Sequence, residues 1–204
     1  MASRQNLLHY ALFPGMVFHE LSHYIACIFC GVKVRKVKFF GTEEAYVAHE
    51  QPNAWKSVII TLAPFVLGNF FALLLLNAAN EMLSEFNIIV IIYYWFAFAL
   101  ILYSFPSIQD AKNSFSTLIN FYSKAILRGK KAPMRIFWLI TFPFVFIPLV
   151  LLLGLMLLFN YAFAFRIIWL AFVLLAAYNP GIIAALFSLI DAMLMGIAKA
   201  LAGQ

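Results

Sequence analysis

The sequence predicts an all-α polytopic membrane protein with five or six transmembrane helices and a small membrane-surface β-hairpin after the first helix. Of its 204 residues, 65% are hydrophobic and 11% are charged, a composition far from that of a soluble domain. Its apolar runs are close to the roughly 20 helical residues that cross a hydrocarbon core of about 30 Å. The polar links between them are short, so we expect a single membrane-embedded domain over residues 1–204.

Four apolar runs are separated by polar links, and a fifth run is interrupted. The predicted spans cover residues 6–30, 55–78, 88–106 and 136–160. The last apolar segment, residues 162–201, is longer than one crossing and contains Asn179-Pro180-Gly181, which favours a helix break. It forms either one span with an interfacial helix or two short spans. The first run lacks the basic region and cleavage site of a signal peptide, so we expect it in the mature protein.

The link between the first two spans predicts the hairpin. Its first part, VKVRKVKFF, is rich in β-branched and aromatic residues and alternates partially, with a slip at Arg35-Lys36. Gly41-Thr42 follows as a turn signal. We predict a hairpin over residues 32–47, and a basic solvated loop without strands is the alternative.

The distribution of basic residues predicts the orientation. Most lysines and arginines fall in two links, residues 31–54 and 107–135. Positive charge marks the cytoplasmic side of a membrane protein, so both links are predicted to be cytoplasmic. The amino terminus is then outside the cell membrane. The net charge of +6 therefore indicates topology and not a nucleic-acid partner.

The stretch FHELSH places three ionisable side chains inside the first span. His19 and His23 are four residues apart, so a helix projects them from one face, and Glu20 follows the first directly. A charged side chain near the centre of a span costs about 2.5–3.5 kcal/mol, so the cluster indicates a function. Two imidazoles at this spacing can bind one metal ion, and the glutamate of HExxH takes a proton from the attacking water. An accidental match, satisfied by neighbouring helices or serving another polar pathway, is the alternative.

A hydrolytic zinc site needs a third protein ligand and an open position for water. Asp110 is the favoured third ligand, because it follows the third span, which should end on the same side as the first, and Pro106 can unwind that helix end. A solvated helix N-cap is the alternative for Asp110. Asp191, and His49 with Glu50 on the predicted loop, remain reserve candidates. Two imidazoles and a carboxylate suit one Zn²⁺ ion.

The two cysteines lie on the same predicted helix as the histidines. Cys27 shares their stripe but lies a full turn beyond His23, so we expect a small buried side chain. Cys27 and Cys30 are three residues apart on one helix, where side-chain directions do not favour a disulfide.

Three motifs in this order resemble those of the site-2 protease family of intramembrane zinc metalloproteases. They are HELSH at residues 19–23, APFVLGN at residues 63–69 and FPSIQDA at residues 105–111. The resemblance covers about residues 13–112. It implies a catalytic three-helix core over residues 1–112 and additional transmembrane helices over residues 113–204.

The resemblance also implies roles for individual residues. His19, His23 and Asp110 would hold the zinc ion, and Glu20 would be the general base and acid. Asn69 would help to hold the substrate backbone or an oxyanion, with an interhelical hydrogen bond as its alternative role. The hairpin would pair with an unwound substrate strand.

The leading functional hypothesis is an intramembrane zinc endopeptidase that cuts in or near a transmembrane segment of another protein. Its expected partners are a transmembrane protein substrate and the lipid bilayer. A metal-ion transporter or channel lined by His, Glu and Asp is one alternative. A relative that binds membrane segments without cutting them is another.

Overall fold

The computed structural model describes residues 10–40, 45–83, 88–127, 132–161 and 163–179, with single positions at 181, 188, 192 and 195. These residues form six helices and one two-stranded antiparallel sheet, which confirms a mainly helical chain with a small hairpin. In chain order the elements are α1 (Phe13–Phe29), β1 (Val34–Lys38), β2 (Tyr46–His49), α2 (Ala54–Glu81), α3 (Ile88–Leu102), α4 (Ile108–Leu127), α5 (Ala132–Tyr161) and α6 (Phe163–Tyr178).

Two helices are long and apolar enough to cross a membrane, over Ala54–Glu81 and Ala132–Leu158. Two more, over Ile88–Leu102 and Ala164–Tyr178, are apolar but shorter. Many large apolar side chains of α5 are uncovered, and Phe144 is 77% exposed. A helix that is apolar all round and not covered by its own chain favours a membrane protein.

α1 ends in a Schellman motif at Gly31. The φ angle of Gly31 is +61°, the left-handed conformation that favours glycine at this position. The N–H of Gly31 donates to the carbonyl of Ile28, and the N–H of Val32 donates to the carbonyl of Cys27. Val32 also packs against the apolar cluster that contains Cys27. The motif reverses the chain and starts the hairpin.

The hairpin contains an irregularity where the sequence alternation slips. The antiparallel register of β1 and β2 shifts between Val34 and Lys36, on either side of Arg35. One extra residue in a strand bends it and increases its twist. The slip in the sequence pattern is therefore a real feature of the strand.

The hairpin lies along α1 and not beyond its end. The ring of Phe39 meets Tyr24 edge to face, and the ring of Phe40 meets Phe13 in the same way. The chain thus runs back from the carboxyl end of α1 towards its amino end. This course brings β2 beside the middle of α1, where the histidines lie.

α1, α2 and α3 pack closely through small residues. A Cβ atom at Gly15 of α1 would lie 2.0 Å from the carbonyl oxygen of Ala99 on α3. A Cβ atom at Gly68 of α2 would lie 3.1 Å from the Ser104 side chain. Small residues at such contacts let helix backbones approach one another.

The predicted third span is too long, and a helix follows it that the sequence analysis did not predict. α3 ends at Leu102, four residues before Pro106, because proline and the residue before it disfavour helical backbone. α4 begins at Ile108, inside the link of residues 107–135. Its buried residues recur every three or four positions, at Ala111, Ser114, Leu118 and Tyr122.

The last apolar segment breaks near its Asn-Pro-Gly sequence. α6 ends at Tyr178, directly before Asn179. The choice between one and two further spans concerns residues beyond that point, and nearly all of them lie outside the described residues.

Candidate metal centre

Three predicted ligands converge at one point. His19 and His23 lie in the middle of α1, and Asp110 lies in the first turn of α4. The two Nε2 atoms are 3.2 Å apart, and Asp110 Oδ2 is 3.3 Å from His23 Nε2 and 3.8 Å from His19 Nε2. In a tetrahedral zinc site with bonds of about 2.0–2.1 Å, neighbouring ligand atoms are about 3.3 Å apart. These three residues can therefore hold a metal ion with little movement.

His23 is oriented by a backbone carbonyl in the middle of α2. Its Nδ1 lies 2.8 Å from the carbonyl oxygen of Ile60. In a regular helix that oxygen would accept from the N–H four residues later, but residue 64 is a proline and has no N–H. Pro64 therefore leaves the Ile60 carbonyl available to the imidazole.

His19 is oriented by a carbonyl at the end of α3. Its Nδ1 lies 2.7 Å from the carbonyl oxygen of Tyr103, the residue that follows α3. The last carbonyls of a helix have no partner within the helix, so this oxygen is also available.

The two carbonyls determine which nitrogen of each imidazole carries the proton. A carbonyl oxygen only accepts, so Nδ1 of each ring must carry hydrogen, which is an assignment from the partner atom. Each Nε2 then presents a lone pair to the other ring and to Asp110, unless a second proton makes the ring a cation. His23 is buried, and facing lone pairs in a buried site are unfavourable. A metal ion removes this conflict, and histidine ligands of metals commonly donate their other N–H to a carbonyl in this way.

Asp110 is fixed by a capping box at the start of α4. The Ser107 hydroxyl accepts from the Asp110 backbone N–H at 3.1 Å, and Asp110 Oδ2 accepts from the Ser107 backbone N–H at 3.0 Å. The Ser107 hydroxyl also lies 2.5 Å from Oδ2. The N-cap is therefore Ser107 and not Asp110, as the alternative from the sequence had it. Asp110 is the third residue of the helix, where a bond to the N-cap residue is compatible with a ligand role.

The electrostatic surroundings of Asp110 favour its ionised form. Burial alone raises the pKa of this carboxyl group, but in the metal-free protein a second proton, on Nε2 of the His19 or His23 imidazole, and the hydroxyl of Ser107 hold the pKa well below its usual range. Asp110 is therefore a carboxylate at neutral pH, as a metal ligand must be.

Glu20 shares a large cavity with the three candidate ligands. The cavity has a volume of about 590 Å³ and lies between α1, β2, the end of α3, the start of α4, and α6. The backbone of Val47 on β2 lies beside the Glu20 carboxyl group. The described residues that line it are Met16, His19, Glu20, His23, Ala45, Tyr46, Val47, His49, Tyr103, Phe105, Ser107, Ile108, Gln109, Asp110, Asn113 and Arg166.

A second, polar cavity lies beside the first and shares part of its lining. It has a volume of about 280 Å³, and His23 and Asp110 line both cavities. Its other lining residues include Ser57, Thr61 and Asn113. Hydroxyl and amide groups of this kind can hold water, so the second cavity can place water beside two of the three candidate ligands.

Other predicted site residues lie elsewhere. Asn69 accepts a hydrogen bond of 2.9 Å from Trp169 Nε1 on α6 and donates to the Phe65 carbonyl at 2.7 Å. It is not among the described residues that line either cavity, so its geometry is that of the interhelical alternative.

Two of the reserve ligands, His49 and Glu50, do not join the group of three. His49 lines both cavities from β2, but its Nδ1 lies 2.8 Å from the Glu50 carbonyl oxygen. Within the described residues, the group able to hold a metal consists of the two α1 histidines and Asp110. Asp191 lies outside the described residues. Cys27 is fully buried, as predicted, and is a free thiol.

The sequence analysis missed four contributions to the site. They are the Ile60 carbonyl that Pro64 makes available, the Tyr103 carbonyl, the Ser107 hydroxyl, and Arg166 of α6. Three of these contributions have a visible signal in the sequence. A proline inside an apolar run indicates the available Ile60 carbonyl, and a Ser-x-x-Asp spacing indicates the Ser107 cap. A lone arginine inside the apolar segment that begins at residue 162 was the signal for Arg166.

Comparison of the chain with protein-family models, with curated proteins and with solved structures gives no match. The functional argument therefore depends on the geometry of the site and on the residues themselves.

Proposed function

We propose that the chain is an intramembrane zinc metalloendopeptidase of the site-2 protease type, which hydrolyses peptide bonds in or near transmembrane segments of other membrane proteins. The observation that carries this proposal is the convergence of two imidazoles and one carboxylate at zinc-ligand spacing, with Glu20 in the same cavity. Three protein ligands leave one position open, as hydrolytic zinc sites require.

The residues fit zinc by the chemistry of the donor set. Imidazole nitrogen and carboxylate oxygen are zinc ligands, and both imidazoles have the carbonyl partners that orient them. A zinc ion bound there would act as a Lewis acid on a substrate carbonyl.

Glu20 is the residue that moves the proton. It follows His19 on α1 and lies in the cavity with the ligands, within reach of a water molecule that enters between them. It accepts the proton of that water as the water attacks the carbonyl carbon, and it gives the proton to the amine that leaves. The polar second cavity supplies the water.

β2 provides the edge that holds the substrate. Ala45, Tyr46 and Val47 line the catalytic cavity, and the sheet has only two strands in the described part of the chain. An extended substrate segment that pairs with a strand edge has its peptide bonds freed from helical hydrogen bonds. A helical segment keeps those bonds closed to attack, so pairing with a strand prepares the substrate for cleavage.

A multi-pass position in the cell membrane supports this function. The uncovered apolar surface of α5 and the two long apolar helices favour it. The amino terminus is proposed to lie outside and the catalytic cavity to open towards the cytoplasm, because the basic links lie on that side.

The experiment that tests the proposal replaces Glu20 with glutamine. Membranes from cells that make the wild-type protein or the variant are compared by mass spectrometry for single-span proteins that are cut in one and intact in the other. We expect Glu20→Gln to reduce cleavage by about 10²- to 10⁴-fold, because the proton transfer is lost. Zinc content of the purified variant should stay near one ion per chain.

Glu81→Gln is the matched control, because Glu81 is an exposed acid at the far end of α2. It should leave cleavage and zinc content unchanged. Cleavage that persists in Glu20→Gln would contradict the proposal.

A metal-ion transporter is the second candidate, because His23 and Asp110 line two adjacent cavities that both have polar lining residues. Zinc flux into vesicles that contain the purified protein distinguishes the two functions. Flux that survives Glu20→Gln, without any cleavage by the wild type, would favour the transporter.

A further inference from the structure

Two side-chain amides line the catalytic cavity from the start of α4. Gln109 and Asn113 are four residues apart, so they lie on one face of the helix, and both line the cavity. Both residues are exposed, whereas the buried stripe of α4 begins at Ala111. Asn113 is also three residues after Asp110, which makes it a neighbour of that candidate ligand on the helix surface. The two amides are therefore available to a molecule that binds in the cavity beside the candidate metal centre.

A hydrogen bond joins the two amides into one unit, the amide pair of Gln109 and Asn113. Nε2 of Gln109 donates to Oδ1 of Asn113 at 2.9 Å. The orientation of a side-chain amide is an assignment, and the reverse one would join the same two groups with their roles exchanged. In either orientation one carbonyl oxygen and one NH₂ group of the pair have no partner among the described residues.

The remaining groups of the amide pair are complementary to the edge of a strand. In an extended chain the N–H and the carbonyl of one residue point to the same edge, and those of the next residue point to the opposite edge. A carbonyl oxygen accepts from such an N–H, and an NH₂ group donates to such a carbonyl. The amide pair thus offers one partner for each backbone group that a strand residue presents at one edge.

β2 and α4 form two walls of this cavity. Ala45, Tyr46 and Val47 line it from the sheet, and the amide pair lines it from α4. A substrate strand that pairs with β2 through one edge has backbone groups on its other edge that still need partners. Unpaired backbone groups cost free energy away from water, so the second edge requires a donor and an acceptor of its own. The amide pair provides one of each.

We propose that Gln109 and Asn113 form a peptide-backbone subsite, which holds the second edge of a substrate strand beside the candidate metal centre. Its ligand is an extended peptide segment, recognised by the backbone N–H and carbonyl groups and not by the side chains. This inference rests on the proposed function, because it supplies the partner for the strand edge that β2 does not hold.

Binding is measured with the Glu20→Gln protein in lipid nanodiscs with zinc added, so that no probe is cut. The reference probe is an acetylated alanine tripeptide amide. In three further probes an ester oxygen replaces the backbone N–H of one residue in turn, which removes a donor without adding bulk. Each ester should weaken binding by about 5- to 50-fold, because it leaves a carbonyl oxygen of the protein without its donor. The central residue faces one edge of the bound strand, and the two outer residues face the other.

The double variant Gln109→Met/Asn113→Leu removes both amides and keeps side chains of similar length. Methionine and leucine are good helix formers, so α4 should remain intact. We expect the variant to lose the ester effect at one edge only, either at the central residue or at the two outer residues, because β2 still holds the other edge. Asn120→Leu is the matched control, since Asn120 is an exposed residue of α4 outside the lining of both cavities. It should retain all three ester effects.

Equal binding of the reference probe and the three ester probes would overturn the inference, and this outcome needs no variant of the amide pair. Ester effects that all persist in the double variant, or that are lost equally in Asn120→Leu, would also overturn it. The proposed function fails separately: if the wild type cuts nothing, ester effects that depend on the amide pair still establish the subsite. Cleavage by the wild type, with ester effects that do not depend on the pair, leaves the function and removes the subsite.

Discussion

The two histidines of α1 share one partner and differ in the other. Both Nε2 atoms face Asp110, but His23 is held by a carbonyl in the middle of α2 and His19 by a carbonyl just beyond α3. The first carbonyl is available because a proline follows four residues later, and the second because a helix ends. A helical protein thus has two ways to make a backbone oxygen available to a candidate metal ligand.

The two backbone carbonyls that orient the histidines also lie in different parts of the fold. The carbonyl that holds His23 lies inside a 28-residue helix that carries no candidate ligand. The carbonyl that holds His19 lies in the short turn that leads to Asp110 and its capping box. A change on the α2 side should therefore affect one ligand, and a change in the α3–α4 turn should affect two.

Removal of the Asp110 carboxylate, which both histidines face, should have the largest effect on zinc affinity. Asp110→Asn replaces the only carboxylate of the three-ligand group, so we expect zinc affinity to fall by more than the roughly 10- to 100-fold that a supporting residue contributes. Competition with a chromophoric chelator measures the affinity, and Glu81→Gln is the control. Unchanged affinity in Asp110→Asn would show that Asp110 is not a ligand.

Replacement of Pro64 by alanine should have an intermediate effect. It should lower zinc affinity and raise the stability of the metal-free protein. Pro64→Ala adds an N–H that competes with His23 for the Ile60 carbonyl, so zinc affinity should fall by about 10-fold or more. The metal-free protein should become more thermally stable, because proline inside a helix costs about 3 kcal/mol.

Pro148→Ala is the matched control, since Pro148 lies inside α5 and lines neither cavity among the described residues. It should leave zinc affinity unchanged. If Pro64→Ala raised stability without weakening zinc binding, the Ile60 carbonyl would not be the support of His23.

Loss of the Ser107 hydroxyl, which caps α4, should have the smallest effect on zinc affinity. Ser107→Ala removes one donor to Asp110 and one cap of α4, so zinc affinity should fall by about 10-fold and stability by about 1 kcal/mol. Chelator competition and thermal unfolding measure the two changes. Ser123→Ala, on an exposed face of α4 and outside the lining of both cavities, should change neither, and an equal loss in both variants would argue against a specific role of the cap.

The sequence by itself determined the ligands and the proton carrier as candidates. The four-residue spacing of His19 and His23 places them on one face of any α-helix, and the slip at Arg35-Lys36 marked the strand irregularity. Both are local properties, because the period of a helix and the alternation of a strand are set by neighbouring residues.

Only the tertiary structure decided which groups complete the site. The distance of Asp110 from the histidines depends on where α3 ends and on the turn at Ser107, and the place of the hairpin beside Glu20 depends on its packing along α1. The supports of both imidazoles are backbone carbonyls, which every residue has, so no residue type marks them. Whether such an oxygen is available depends on the helix around it, and whether an imidazole reaches it depends on how two helices pack.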